Sequence, residues 1–141
     1  MTTLTLAQAN TILNTAVAEA RKAGYKPMGI VVLDEAGHLK ASQREDGASM
    51  FRLDVATGKA WAAVGFSASS RTLMQRAKDN PNFFASLSAT SQGRFIPQTG
   101  AVVIKDAGGA ILGAVGASGG TGDEDEAICI AGIAAAGLQH G

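Results

Sequence analysis

The chain has one cysteine, Cys129, so no disulfide can form within it. It has two histidines, His38 and His140, and neither stands near Ser118 in sequence, so a serine nucleophile would lack a local base. Net charge is also missing. Twelve Lys and Arg balance twelve Asp and Glu, with no basic stripe to follow a nucleic-acid backbone and no polybasic segment to hold an anionic membrane surface. Composition therefore argues against nucleic acid and membrane as partners. Apolar runs fall far short of the roughly 18–20 residues that span a bilayer. The opening "MTTLTLAQAN" lacks the charged and apolar blocks of a secretory signal, and the expectation is a soluble, cytoplasmic protein. Aromatics are few: five Phe, one Trp and one Tyr. What the chain has instead is 18 Gly and many Ala, which permit close helix packing, tight turns and surfaces that pack subunit on subunit. At 141 residues, one domain spanning 1–141 is expected.

Thr5-Leu-Ala-Gln8 is a capping-box pattern, and Leu6, Ala9, Ile12, Leu13, Ala16, Val17, Ala20 and Ala23 recur at helical spacing, which predicts a helix over 6–23. Residues 28–33, apolar on both parities, predict a strand covered on both faces. Asp34 to Gly37 supplies a turn, and 39–44 the returning strand. Asp46-Gly-Ala-Ser49 is expected to cap a helix from about Met50 to Gly65, with a shorter one starting at Ser69 or Ser70. Asn80-Pro81 predicts another, carrying Phe83, Phe84 and Leu87 inward. A second hairpin follows, 101–104 and 110–117, its "VVIKDAGGAI" parallel to the earlier "VVLDEAGHL". The last helix is expected to present Ala127, Ile130, Ala131, Ala134 and Leu138 as its apolar stripe, with Thr121 or Asp123 as cap. The predicted class is α+β: a central, mainly antiparallel sheet of two hairpins with flanking helices.

The stretch "GASGGTGDEDEAICIAG", residues 116–132, has the form of a phosphate-binding loop before a helix, but its four carboxylates would repel a phosphate and no Gly-Lys-Ser/Thr follows. Carboxylates in a first helical turn are favourable by about 0.3–1 kcal/mol each, which accounts for one or two of the four. Successive helical residues lie about 100° apart, so a division is expected. Asp123 and Glu124 serve the helix start and solvent; Asp125 or Glu126 turns inward. Neighbouring carboxylates do not make the alternating oxygen geometry of a calcium loop, and no metal is expected.

Three stretches, "VVLDEAGHLKASQREDGA", "ATGKAWAAVGFSASSRTL" and "AVVIKDAGGAILGAVGASGGTGDEDEAICIAG", together resemble the GlcG/HbpS family, which also supplies the trailing domain of PduO-type cobalamin adenosyltransferases. The matching positions are Asp34, Gly37, Arg44, Asp46, Gly47, Lys59, Ala60, Gly116, Ser118, Gly119, Asp125 and Glu126. Ser70 stands where the family often has Thr. The resemblance implies an α+β fold, self-association into dimers or larger homo-oligomers and, for some members, binding of haem or a corrinoid-related cofactor. Other members belong to glycolate or aromatic-compound pathways. It supplies no axial haem ligand for this chain: His38 flanks a turn, and His140 is penultimate, where fraying is expected.

Lys59 is the most informative side chain, since its helical neighbours Val55, Ala56, Ala62 and Ala63 are apolar. Either its stem lies along a core edge with the ammonium in water, or the ammonium sits inside a pocket holding a carboxylate or oxyanion. Lys59→Met is expected to keep the fold and weaken ligand binding. Arg44 and Asp46 are either a surface ion pair or, if Arg44 converges with Lys59, part of a cationic site for a small acid or a haem propionate. Ser118 is expected to hydrogen-bond the glycine-rich turn, Cys129 to be a small core residue, and His38 an exposed hairpin residue. Two functions follow. One is a non-enzymatic binder of haem or another cofactor, with Arg44, Asp46, Lys59, Ser118, Asp125 and Glu126 around the ligand. The other is an enzyme on a small hydroxy- or keto-acid, of tautomerase or isomerase type, with Lys59, Asp125 and Glu126 as catalytic candidates.

Overall fold

A computed structural model describes residues 3–141. Helix α1 (Leu6–Ala23) opens with the expected capping box, Gln8 N–H donating to Thr5 Oγ1 and Thr5 N–H to Gln8 Oε1, both at 3.0 Å. Strands β1 (Gly29–Asp34) and β2 (Leu39–Arg44) form the first hairpin, and β3 (Ala101–Lys105) and β4 (Ile111–Ser118) the second. The parallel between the two sequences has a physical cause. Asp34 Oδ1 accepts the Ala36 and His38 N–H groups, and Asp106 Oδ1 those of Gly108 and Ala110, so each aspartate closes its own turn.

The sheet runs β2-β1-β4-β3-β5 and every neighbouring pair is antiparallel. The outer strand β5 (Gln139–His140) pairs Ile104 with His140, so the penultimate residue is part of the sheet rather than a frayed end. Alternate strand residues face opposite ways. Ile30, Val32, Val102, Ile104 and Val115 meet α1 and α5 (Gly122–Ala135) on one face. On the other, Val31, Leu33, Ala101, Val103 and Ala114 meet Ala56, Ala60 and Ala63 of α2 (Phe51–Phe66). The apolar run of β1, Gly29 to Leu33, is thus buried on both sides. Two shorter helices, α3 (Ser70–Asp79) and α4 (Pro81–Thr90), extend the α2 layer over an aromatic cluster of Phe66, Phe84 and Phe95.

Three local expectations are corrected. In α5 the buried residues are Asp125, Ile128, Cys129, Gly132 and Ile133, while Ala127 and Ala134 are exposed, so the helix is turned away from the stripe read in the sequence. The reason is steric as well as hydrophobic. A Cβ at Gly132 would stand 2.6 Å from the Ile12 carbonyl oxygen, so the glycine is the point where α5 meets α1. Phe83 stays half exposed while Phe84 turns inward. No side chain caps α2 at Met50; Ser49 instead accepts a bond from Arg52 Nε.

Candidate functional site

Lys59 leaves α2 on one face of the sheet, Asp125 leaves α5 on the other, and they meet beyond the end of the sheet at Gly100, just before β3. A Cβ on Gly100 would lie 2.6 Å from Lys59 Nζ and 3.1 Å from Asp125 Cβ, and its φ of +135° is one that side-chain-bearing residues rarely adopt. Glycine is what leaves the passage open. Lys59 Nζ donates to Asp125 Oδ2 at 3.1 Å and to the Ala117 carbonyl at 3.1 Å. Asp125 Oδ1 accepts the Gly120 N–H at 2.9 Å, which ties down the glycine-rich turn after β4. Side-chain exposure is 7% for Lys59 and 2% for Asp125, so the ammonium is neither in water nor free. Burial pushes the Asp125 carboxyl up from its usual value, against the opposing pull of Lys59, the Gly120 N–H and Arg52.

One residue along β4 from Ala117, Ser118 Oγ accepts a 2.9 Å bond from Arg52 Nη1. Arg52, Val55 and Lys59 follow one another at three- and four-residue intervals on α2 and line one wall of a cleft of about 460 Å³. Arg71 and Met74 of α3, the Gln98–Thr99 segment and the 120–123 turn complete it. At the rim Arg71 binds Asp123 and, through Nε at 3.0 Å, Glu126 Oε2. Thr121 caps α5 in a second capping box with Glu124.

The four carboxylates therefore divide their work, with the boundary drawn more finely than expected: Asp125 alone enters the interior, and Glu126 joins Asp123 on Arg71. Lys59, Ser118 and Asp125 come together. Arg44 and Asp46 do not join them. They line another cleft with Arg21 and Glu45, and Arg44 Nη1 donates to the Ala48 carbonyl at 2.8 Å, because β2 is the far edge strand of the sheet. The convergence of Arg44 with Lys59 is thus replaced by that of Arg52 with Lys59. Arg52, Arg71 and Met74 were missed by sequence reasoning. The seven-residue interval from Arg52 to Lys59, two helical turns, was a usable signal for the first; nothing local pointed to the other two.

Cys129 is buried behind Asp125, its thiol pushed up by burial and by the nearby carboxylate. His38 is exposed at its turn, 3.9 Å from Asp34. His140 lines a groove of about 340 Å³ that adjoins the cleft through Arg71 and also includes Lys105 and Glu126. Among the described residues no three His, Cys, Asp or Glu side chains gather in a way that could hold a metal ion, and no helix is long and apolar enough to cross a membrane.

Several solved structures share this architecture. The PduOC:heme complex is 23% identical with a TM-score of 0.86, over 99% of this chain and 98% of that one. A double mutant of Streptomyces reticuli HbpS is 29% identical with a TM-score of 0.82, over 95% of this chain and 87% of that one. Klebsiella pneumoniae protein ORFY, assigned to the family model DUF336, is 24% identical with a TM-score of 0.87, over 97% and 92%. No curated protein sequence matches the chain. Residues 4–134 match the family model described as "Haem degrading protein HbpS-like", in agreement with the resemblance carried by the three stretches, and the chain belongs to the HbpS-like family.

Proposed function

We propose that the protein binds haem in the cleft between α2, α3 and the β4–α5 turn, with the propionates toward Arg52 and Arg71. The observation that carries this reading is the meeting of Arg52, and of Arg71 already paired with Asp123 and Glu126, with Val55 and the thioether of Met74 in one cleft. A dianionic ligand with a flat apolar body needs both kinds of surface. Arg52 Nη2 has no protein partner among the described residues, so it can take a carboxylate while Nη1 stays on Ser118. The donor set fits on the iron side as well. Neither histidine lines the cleft, but Met74 does, and its Sδ accepts a hydrogen bond from the Thr99 hydroxyl at 3.3 Å. Haem held there would supply iron redox chemistry; the protein's own groups would anchor the propionates and present the thioether. Family membership and the likeness to a haem complex support the same ligand.

Hemin titration tests it. A saturating Soret shift at one equivalent that survives competing albumin is expected, with Met74→Leu altering the spectrum and Arg52→Gln weakening the affinity. No shift, or one abolished by albumin, would overturn the reading. The proposal includes self-association to a dimer or larger assembly, which the family resemblance supports. Light scattering at micromolar concentration checks it, and a monomer near 14.2 kDa would reject it.

A second reading has its own observation: Lys59 and Asp125 line the same cleft as Arg52. An acid whose carboxylate rests on Arg52 would have an amine and a carboxyl beside its neighbouring carbon, which suits an enzyme acting on a small hydroxy- or keto-acid.

A further inference from the structure

We infer that Lys59 forms an imine with the carbonyl carbon of a small 2-keto acid whose carboxylate is held by Arg52. The inference rests on the second of the two readings above and deepens it by naming the substrate class and the covalent step.

Three features of the site point there. First, Lys59 is enclosed yet is one of the residues that line the cleft, where a small ligand has access and bulk water little. A buried pair that served only to join α2 to α5 could be replaced by well-packed apolar side chains, usually without loss of stability. Second, Lys59 Nζ has two acceptors, the Ala117 carbonyl and Asp125, and a proton passed to Asp125 Oδ2 across 3.1 Å leaves a neutral amine beside a carboxylic acid. Burial raises the Asp125 carboxyl from its usual value, which makes it a better acceptor for that proton. Third, Arg52 and Lys59 contact successive residues of β4, through Ser118 Oγ and the Ala117 carbonyl. A 2-keto acid is the class of ligand in which the carboxylate and the carbon under attack are likewise adjacent.

The step balances. Lys59 transfers one proton to Asp125. The free amine adds to the keto carbon, forming the C–N bond as the carbonyl π pair moves onto oxygen, which takes a proton from the new ammonium. Asp125 then protonates that hydroxyl, water leaves, and the C=N bond forms with Asp125 again a carboxylate. The net change is ammonium plus ketone to iminium plus water, with no oxidant or reductant. Asp125, again a carboxylate and 3.1 Å from the lysine nitrogen, is then the nearest base for a proton on the carbon next to the iminium, whose removal is how such an adduct isomerises or loses a group.

Pyruvate with sodium borohydride tests this on the full chain. The expected result is one added reduced pyruvyl group per chain, mapped to Lys59 by peptide mass spectrometry, with far less labelling by acetone, which has no carboxylate for Arg52. The exposed Lys22, Lys26, Lys40 and Lys78 provide the internal control. Lys59→Arg preserves the charge facing Asp125 but cannot form an imine, and should lose the adduct while keeping its circular dichroism. Saturation-transfer NMR with pyruvate separates the two levels. Pyruvate that binds without labelling overturns the imine alone; pyruvate that neither binds nor labels overturns the keto-acid reading with it. Labelling spread over surface lysines, or unchanged in Lys59→Arg, likewise overturns the assignment.

Discussion

Two ion clusters arise from the first turns of the same helix, and they sit at opposite ends of what such clusters are worth. Asp125 meets Lys59 inside the protein, both nearly inaccessible, each with a further backbone hydrogen bond. Two residues before and one after, Asp123 and Glu126 meet Arg71, whose side chain is 56% exposed. Solvent screens the second cluster, and either partner, if lost, is replaced by water. The first has no such substitute. A charge left alone there must be neutralised or must drag water into the end of the sheet. Closeness of oppositely charged atoms is common to both clusters; the medium between them is what differs.

The largest effect should come from Lys59→Met, with a loss of about 3–5 kcal/mol by chemical denaturation, because Asp125 keeps its burial and loses its counter-charge. This revises the sequence-based expectation of an intact fold. Adding Asp125→Leu should recover most of that loss, and a double variant no better than the single one would place the stability elsewhere. Next comes Gly100→Ala, which closes the passage and sits at a φ of +135°; a loss of about 1–3 kcal/mol is expected. A smaller, pH-dependent effect sharpens the comparison. Because burial raises the Asp125 carboxyl above its ordinary 3.8, its contribution to stability is fully present below that value and is lost as pH rises through the folded-state value. Parent minus Asp125→Asn stability should therefore fall with rising pH across that window. The smallest effect is expected for Arg71→Ala, whose denaturation midpoint should match the parent's within error; a loss comparable to that of Lys59→Met would erase the distinction between the clusters.

Much of the fold was legible because it rests on local signals. The Thr5 capping box, the doubly buried apolar run of β1 and the two aspartate-closed turns each depend on residues a few positions apart. The face of α5 was misread because Ile, Ala and Gly alternate there without a clear polar side, so the contact of Gly132 with Ile12 decides the rotation, and that contact is tertiary. The site divides in the same way. Lys59 and Asp125 stood out as charges in apolar or overcharged surroundings. Arg71 and Met74 enter through the placement of α3 against the β4–α5 turn, which no short spacing encodes, and Arg44 was drawn in by its family match although the strand order carries it to the far edge.

The passage at Gly100 also bears on the order of assembly. The two side chains that meet there are separated by 66 residues and come from helices on opposite faces of the sheet, a non-local contact expected to form late in folding. Contacts made that late are absent from the folding transition state, so their energy resides in the barrier to leaving the native state. Weakening the pair, as in Lys59→Met, should steepen the loss of native protein with time: unfolding accelerates while refolding keeps the parent's rate. Stopped-flow arms that move the other way would date the contact to an early nucleus. By this account the buried ion pair acts as a kinetic lock, governing how long the protein lasts once folded rather than how readily it folds.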